Sequence, residues 1–215
     1  MIFDAHTHQP KENSVYCLPF NFEESDLGPV DYYCAGIHPW DVDKVASLDQ
    51  KLLDLRKALE NKKCVALGEV GIDRNYPDLE KQKNLMIEQL ELAVEFDLPV
   101  VIHCVKALND VLSTLKKFPK KMKVYLHGIN LNEQELAEVN KRKYFVGLGP
   151  QLFNKSKIQN IIHSIPKDKI LIETDDTGLS VNQVFESLSL RLGHDPENFM
   201  YQLNLNFLNF FSIDD

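Results

Sequence analysis

P-V-V-I-H-C-V-K-A-L-N-D-V-L-S-T-L-K-K-F-P-K-K-M-K-V-Y-L-H, residues 99–127, reads as strand, helix, strand. An apolar run from Pro99 stops at His103, residues 107–118 suit a helix, and a second run from Lys123 stops at His127. A strand, crossover helix and strand at this spacing make the two strands parallel neighbours. Both strands then finish at the same edge of a sheet, each on an imidazole.

The alternation extends in both directions. Upstream, C-V-A-L-G-E (64–69) is an apolar run ending at Glu69, followed by V-G-I-D and a helix over residues 79–96 that stops before Leu98-Pro99. Residues 48–59 carry apolar side chains at 48, 52, 55 and 59, which is helical spacing. Before them, D-Y-Y-C-A-G-I-H (31–38) is a strand stopped by Pro39 and Trp40, and V-Y-C-L-P-F (15–20) is a shorter one. The chain starts M-I-F-D-A-H-T-H, an apolar run closed by two histidines. Downstream come a helix over 132–141 opened by an Asn cap, a strand over 144–148, a helix over 155–164 and a strand over 169–172 that runs into E-T-D-D. Helices over 181–192 and 196–211 follow.

Eight apolar strands alternating with helices predict a single parallel (β/α)8 TIM-type barrel over residues 1–215. The first βα units are abbreviated, because too few residues separate the first strands for crossover helices. An open doubly wound sheet is the competing fold. The barrel is preferred because ligand-type residues end non-adjacent strands, and only closure brings the first and last strand together.

In a strand, residues i and i+2 face the same way, so His6 and His8 form a two-imidazole claw. In a barrel the C-terminal strand ends share one mouth. There His6, His8, Glu69, His103, His127 and Asp175 supply four imidazoles and two carboxylates, enough for two divalent ions with a carboxylate bridging them. This donor set suits zinc, manganese or nickel and does not distinguish them, and the carboxylates also tolerate magnesium. His38 ends the third strand and has two readings, a contact to substrate or to the metal ligands, and a structural role. Asp73 reads as orienting a ligand histidine or as stabilising its loop. Glu173 lies one layer below Asp175, where it hydrogen-bonds within the barrel. His163 and His194 read as capping or surface residues.

D-A-H-T-H (4–8), G-I-H-P (36–39), G-E-V-G-I-D (68–73), L-P-V-V-I-H-C (98–104), L-H-G (126–128) and E-T-D (173–175) occur in the order found in the TatD-like metal-dependent hydrolases, which the chain resembles. That family is related to the amidohydrolases and is usually described as deoxyribonucleases. The resemblance implies that His6, His8 and Asp175 hold one metal, that Glu69 bridges to a second, and that His103 and His127 hold the second. It implies an ester-bond hydrolase, acting on small phosphodiesters or DNA ends through a metal-activated water, with Glu69 and Asp175 as catalytic residues and Asp175 as general base. A small amide or ester substrate and a non-catalytic metal-binding barrel are the alternatives. The chain departs from the family in three places: the shortened segment between the H-x-H and G-I-H-P, Val105-Lys106 where Arg-Asp is usual, and Asp176-Thr177-Gly178 in place of a longer, basic loop.

The formal net charge is −8, which argues against indiscriminate binding to a phosphate backbone. Residues 101–170 hold 13 Lys+Arg and 5 Asp+Glu, a local charge of +8. Most of these cations fall at helix ends and strand starts, the face away from the mouth, where they complement helix dipoles. Only Lys106, Lys155 and Lys157 are placed to reach a substrate. The four cysteines (Cys17, Cys34, Cys64, Cys104) lack C-x-x-C spacing and read as buried reduced thiols. No membrane span or signal peptide is evident, so a cytoplasmic protein with no obligate protein partner is expected.

Overall fold

Each apolar run is buried on both faces, as a parallel strand covered by helices requires. In the computed structural model, which describes residues 1–22, 27, 30–154 and 157–214, eight parallel strands form one sheet in sequence order. They are β1 (Asp4–Thr7), β2 (Ser14–Cys17), β3 (Tyr32–Ala35), β4 (Cys64–Asp73), β5 (Val100–Val105), β6 (Val124–Leu126), β7 (Phe145–Leu148) and β8 (Ile170–Ile172). The helices are α1 (Leu48–Glu60), α2 (Leu79–Glu95), α3 (Leu108–Leu115), α4 (Glu133–Lys141), α5 (Val181–Leu192) and α6 (Pro196–Phe211).

Closure excludes the open sheet. Thr7 bridges to Asp175 in parallel, Asp175 N donates to His6 O at 3.0 Å, and His8 N donates to Asp175 O at 3.3 Å. The Asp4 carboxylate reinforces the same seam. It accepts from Thr174 N (3.0 Å) and Thr174 Oγ1 (2.6 Å), and Lys11 Nζ lies 2.7 Å from it.

No helix joins β1 to β2. A four-residue strand is about 13 Å long, and the linking residues 8–13 can span about 20 Å when extended, so a bare loop can return to the strand start. Asn132 caps α4 as expected, in a reciprocal capping box with Glu135. Ser180 and Gln183 form the same device on α5.

One expected helix is absent. Within residues 155–164, the described part forms two short 3-10 turns, Lys157–Asn160 and Ile162–Ser164. The β-branched isoleucines at 158, 161 and 162 resist continuous helix, Pro166 lies just beyond, and the Gln159 amide bonds the carbonyls of Gln151, Leu152 and Asn154. Lys155 lies outside the described residues.

The aromatic end of α6 closes the barrel at its strand-start end. Phe207, Phe210 and Phe211 are buried with Ala5, Val15, Val101, Tyr125 and Leu171, and Phe3 stacks on Phe207 at 4.4 Å. Lys123 bonds the carbonyl of Asn209 and Lys169 lies over the Phe145 ring, so these cations serve that end of the molecule. No helix among the described residues is long and apolar enough to cross a membrane.

Asp4→Ala removes the acceptors of the β1/β8 seam and leaves Thr174 N unpaired. Urea unfolding is expected to show a loss of about 2–3 kcal/mol, and an unchanged midpoint would show that the strands close without this carboxylate.

Candidate metal centre

The strands bring their polar side chains to one mouth, although β4 does not end at Glu69 as its apolar run suggests but continues to Asp73, so that Glu69 lies within the strand. Gly36 allows the chain after β3 to approach β4 closely beneath it, since a Cβ there would sit 2.8 Å from the Gly68 carbonyl carbon, and Gly68 does the same for β4 against Val101 of β5. His38 and Glu69, which follow these two glycines, are thereby held against one another.

Glu69 is the hub. It is 2 % exposed, and its two oxygens divide the surrounding imidazoles. Oε1 lies 2.9 Å from His6 Nε2 and 2.9 Å from His8 Nε2. Oε2 lies 2.7 Å from His127 Nε2, 3.3 Å from His103 Nδ1 and 3.4 Å from His38 Nε2. Asp175, in a left-handed backbone conformation at φ +53°, brings Oδ1 within 3.6 Å of His8 Nε2 and 3.9 Å of His6 Nε2. All six residues singled out from the sequence therefore meet, and His38 joins them at the same carboxylate.

His103 bonds Glu69 and His127, but the His6 ring is not aligned to bond its neighbours. Neither ring nitrogen of fully buried His6 has a hydrogen-bond partner, although Nε2 is so close to Glu69, and His127 Nδ1 also lacks one. Short separation without hydrogen-bond alignment is the geometry of ligands aimed at an ion between them. The residues fit a divalent cation on that ground.

The ring of His103 is supported from behind. Its Nε2 lies 3.4 Å from Asp73 Oδ2, the oxygen to which Trp40 Nε1 donates at 2.7 Å. Asp73 Oδ2 thus stands behind the ligand-type ring while Oδ1 accepts from Asn75 N at 2.8 Å, so both contacts read from the sequence, to a histidine and within the loop, are present. Glu173 is fully buried and accepts from Tyr125 Oη and from Gly128 N (2.7 Å), as expected for a carboxylate within the barrel. His163 is exposed on its 3-10 turn and His194 packs edge-on to Phe199, so neither belongs to the centre.

Charge is balanced locally. Burial works to raise the Glu69 carboxyl, but the cationic His127 and His6 rings, with hydrogen bonds from His103 and His127, hold it well below the ordinary carboxylate range. Burial works to lower His6, yet the Glu69 charge lifts it to about 10. His127 is raised in the same way against its burial, whereas burial dominates at His38 and lowers it. Burial raises Glu173.

A family model described as TatD related DNase matches residues 24–212. The chain belongs to that family. A relative in Escherichia coli K12, described as an uncharacterized metal-dependent hydrolase, YjjV, is 31 % identical over 157 residues, which cover 70 % of this chain and 60 % of the relative. The 3'-5' ssDNA/RNA exonuclease TatD of Erwinia tasmaniensis is 32 % identical over 152 residues, covering 66 % and 58 %. The chain thus spans about three fifths of the length of these curated relatives. The crystal structure of E. coli YjjV superposes with a TM-score of 0.81 at 26 % identity, over 94 % of this chain and 86 % of that one, which confirms the TIM-type barrel. A TatD-family hydrolase from Entamoeba histolytica shares the fold at a TM-score of 0.76 and 18 % identity.

The TatD-family match begins at residue 24, after the H-x-H motif. It is the fold that joins His6 and His8 to the matched residues, through Glu69 Oε1. Two further members of the cluster escape the sequence pattern. His38 reads there as a contact to substrate or to the metal ligands rather than as a neighbour of Glu69 itself, and Cys17 reads as a buried thiol, yet Cys17 Sγ lies 3.6 Å from Glu69 Oε1. The available signal is that β2 ends on a metal-ligand residue type.

The His6–Glu69 pair fixes a pH dependence in the metal-free protein. Because His6 is lifted from 6.5 to about 10 on folding, its contribution to stability is complete below pH 6.5 and is lost as pH rises through about 10. Urea midpoints of metal-free protein are expected to fall across that window, and Glu69→Gln is expected to flatten the fall. A slope of the opposite sign would show that His6 is neutral in the folded state.

Proposed function

We propose that this chain is a divalent-metal-dependent phosphodiester hydrolase with a two-metal centre, acting on short or single-stranded nucleic acid. The observation that carries this reading is the division of the imidazoles between the two oxygens of Glu69. His6, His8 and Asp175 would hold one ion on the Oε1 side, and His103 and His127 the other on the Oε2 side, with His38 beside it. Bound there, two cations lower the pKa of a water toward neutrality and stabilise charge on the attacking and leaving oxygens. Asp175, 32 % exposed at the mouth, is placed to take the proton of that water. Glu69 keeps the two ligand groups in one geometry, and Asp73 holds the His103 ring.

The surroundings favour a substrate with few flanking phosphates. The turn after Asp175 reads D-T-G-L-S and contains no cation, and Thr177 Oγ1 ties it back to Thr174 O at 2.6 Å. Lys106 at the mouth bonds Asn75 Oδ1 at 2.8 Å. Beside the centre, Trp40 and Tyr76 stack at 5.0 Å with 19° between their planes, and both stay 40 % or more exposed. The Trp40 ring centroid is 5.6 Å from that of His103. An exposed aromatic pair next to a phosphate-cleaving centre offers a face to an unstacked base, which a duplex does not present. The relatives named as 3'-5' ssDNA/RNA exonucleases agree with this class of substrate.

The test is hydrolysis by metal-reconstituted protein of dinucleotides, single strands, long duplex and amides across a salt series. Short and single-stranded phosphodiesters are expected to be cut, with weak duplex binding and a shallow salt slope. Turnover of amides alone, or tight duplex binding with a steep slope, would overturn the reading.

Two variants probe the parts. Glu69→Gln is expected to lower metal stoichiometry and rate further than His127→Ala, since it weakens both sides of the centre. Equal losses would argue against a bridging carboxylate. Trp40→Ala is expected to raise KM for single strands about tenfold while leaving a small non-nucleotide phosphodiester nearly unaffected; parallel losses on both substrates would assign Trp40 to the support of Asp73 alone.

A further inference from the structure

Cys17 is the last residue of β2, lies opposite Cys34 in register, and is 6 % exposed. Its sulfur is 3.6 Å from Glu69 Oε1, the oxygen that has His6 Nε2 and His8 Nε2 each at 2.9 Å. Donor atoms of His6, His8, Cys17 and Glu69 all lie within 4.8 Å of one another. With bonds of about 2.0–2.1 Å to nitrogen and 2.3 Å to sulfur, ligand atoms of a tetrahedral zinc site sit roughly 3.3–3.6 Å apart. The separations from Glu69 Oε1, 2.9, 2.9 and 3.6 Å, lie near that spacing, and every pair falls within 4.8 Å. A second, independent sign is His6, whose two ring nitrogens are buried in this cradle with no hydrogen bond.

We infer that Cys17 is a ligand of the ion held by His6, His8 and Glu69, which makes that half of the centre a nitrogen, oxygen and sulfur site for a zinc-class cation. The inference rests on the metal-centre reading above and goes beyond it, because it adds a donor of a different chemical class. On binding, the metal–sulfur bond replaces the S–H bond and the proton passes to the buffer, as thiol coordination requires. Asp175 approaches the same imidazoles from the mouth, where it is part exposed, while Cys17 approaches from the buried interior. Cys17 and Asp175 would therefore reach an ion beside His6 from different sides.

The other cysteines provide contrast. Cys64 Sγ bonds its own strand at Ala66 O, 3.5 Å away, and Cys34 packs beside Cys17 among Ala5, Val15 and Val101. If Cys17 were only core filling, it would be equivalent to Cys34 in every metal-dependent measurement. As a ligand it discriminates between metals, since a soft sulfur favours zinc and cobalt over manganese or magnesium.

The decisive measurement needs no variant: zinc K-edge absorption fine structure of the zinc-loaded protein, with zinc content determined on the same sample. One sulfur scatterer at about 2.3 Å is expected among nitrogen and oxygen at about 2.0–2.2 Å. Zinc bound by nitrogen and oxygen alone would overturn the Cys17 assignment and leave the metal centre standing, whereas failure to retain zinc would overturn both. Cobalt-loaded protein is expected to show a near-ultraviolet sulfur-to-cobalt charge-transfer band that is lost in Cys17→Ser and kept in Cys34→Ser. A band that survives in folded Cys17→Ser would reject the assignment. Zinc affinity is expected to fall at least about tenfold in Cys17→Ser, with manganese affinity nearly unchanged; equal falls for both metals would also reject it.

Discussion

A buried carboxylate surrounded by imidazoles sets the terms for the rest of the structure. An isolated ionised Glu69 at this depth would be strongly destabilising, and the charge persists only because five rings stand within 3.4 Å of its oxygens. Those rings come from the ends of four different strands, so the electrostatic cluster exists only when the barrel has assembled. In the proposed reading the same cluster would also carry the chemistry, with one oxygen of the carboxylate turned to each side. Stability of the metal-free protein and capacity for metal therefore draw on one set of atoms.

Building this mouth on a shortened chain requires economies elsewhere. The first two strand connections carry no α-helix among the described residues, and the seam between β1 and β8 is braced instead by Asp4, Thr174 and Lys11. At the opposite end, three phenylalanines of α6 pack into the cluster that includes Ala5, Val15 and Val101. Of the lysines near that end, Lys123 bonds a helix carbonyl, Lys169 covers an aromatic ring and Lys121 pairs with Asp97. Their charge is thereby committed to the scaffold, and the net charge of −8 leaves the mouth without a broad cationic track.

The aromatic pair beside the centre gives that mouth a different kind of grip. Trp40 is held by its indole N–H to Asp73, which also supports His103, so one carboxylate links the platform to a metal ligand. A base resting on the platform and a phosphate at the centre would then be placed by the same short loop after β3.

Fold class was legible in the sequence because its evidence is local. Alternating apolar runs and helical spacing mark the elements, and the residues His6, His8, Glu69, His103, His127 and Asp175 are visible because each ends or closely follows an apolar run. The helix expected over 155–164 failed for a local reason too, with isoleucines and Pro166 breaking a pattern that spacing alone suggests. Tertiary structure decided which atoms meet. That His6 and His8 share Oε1 while His127 and His103 share Oε2, that His38 touches the same carboxylate, and that Cys17 points at the centre while Cys34 does not, all depend on closure and on register between strands far apart in the chain. Period-two and period-3.6 patterns carry no information about those offsets, because a strand's partner fixes where its last side chain arrives.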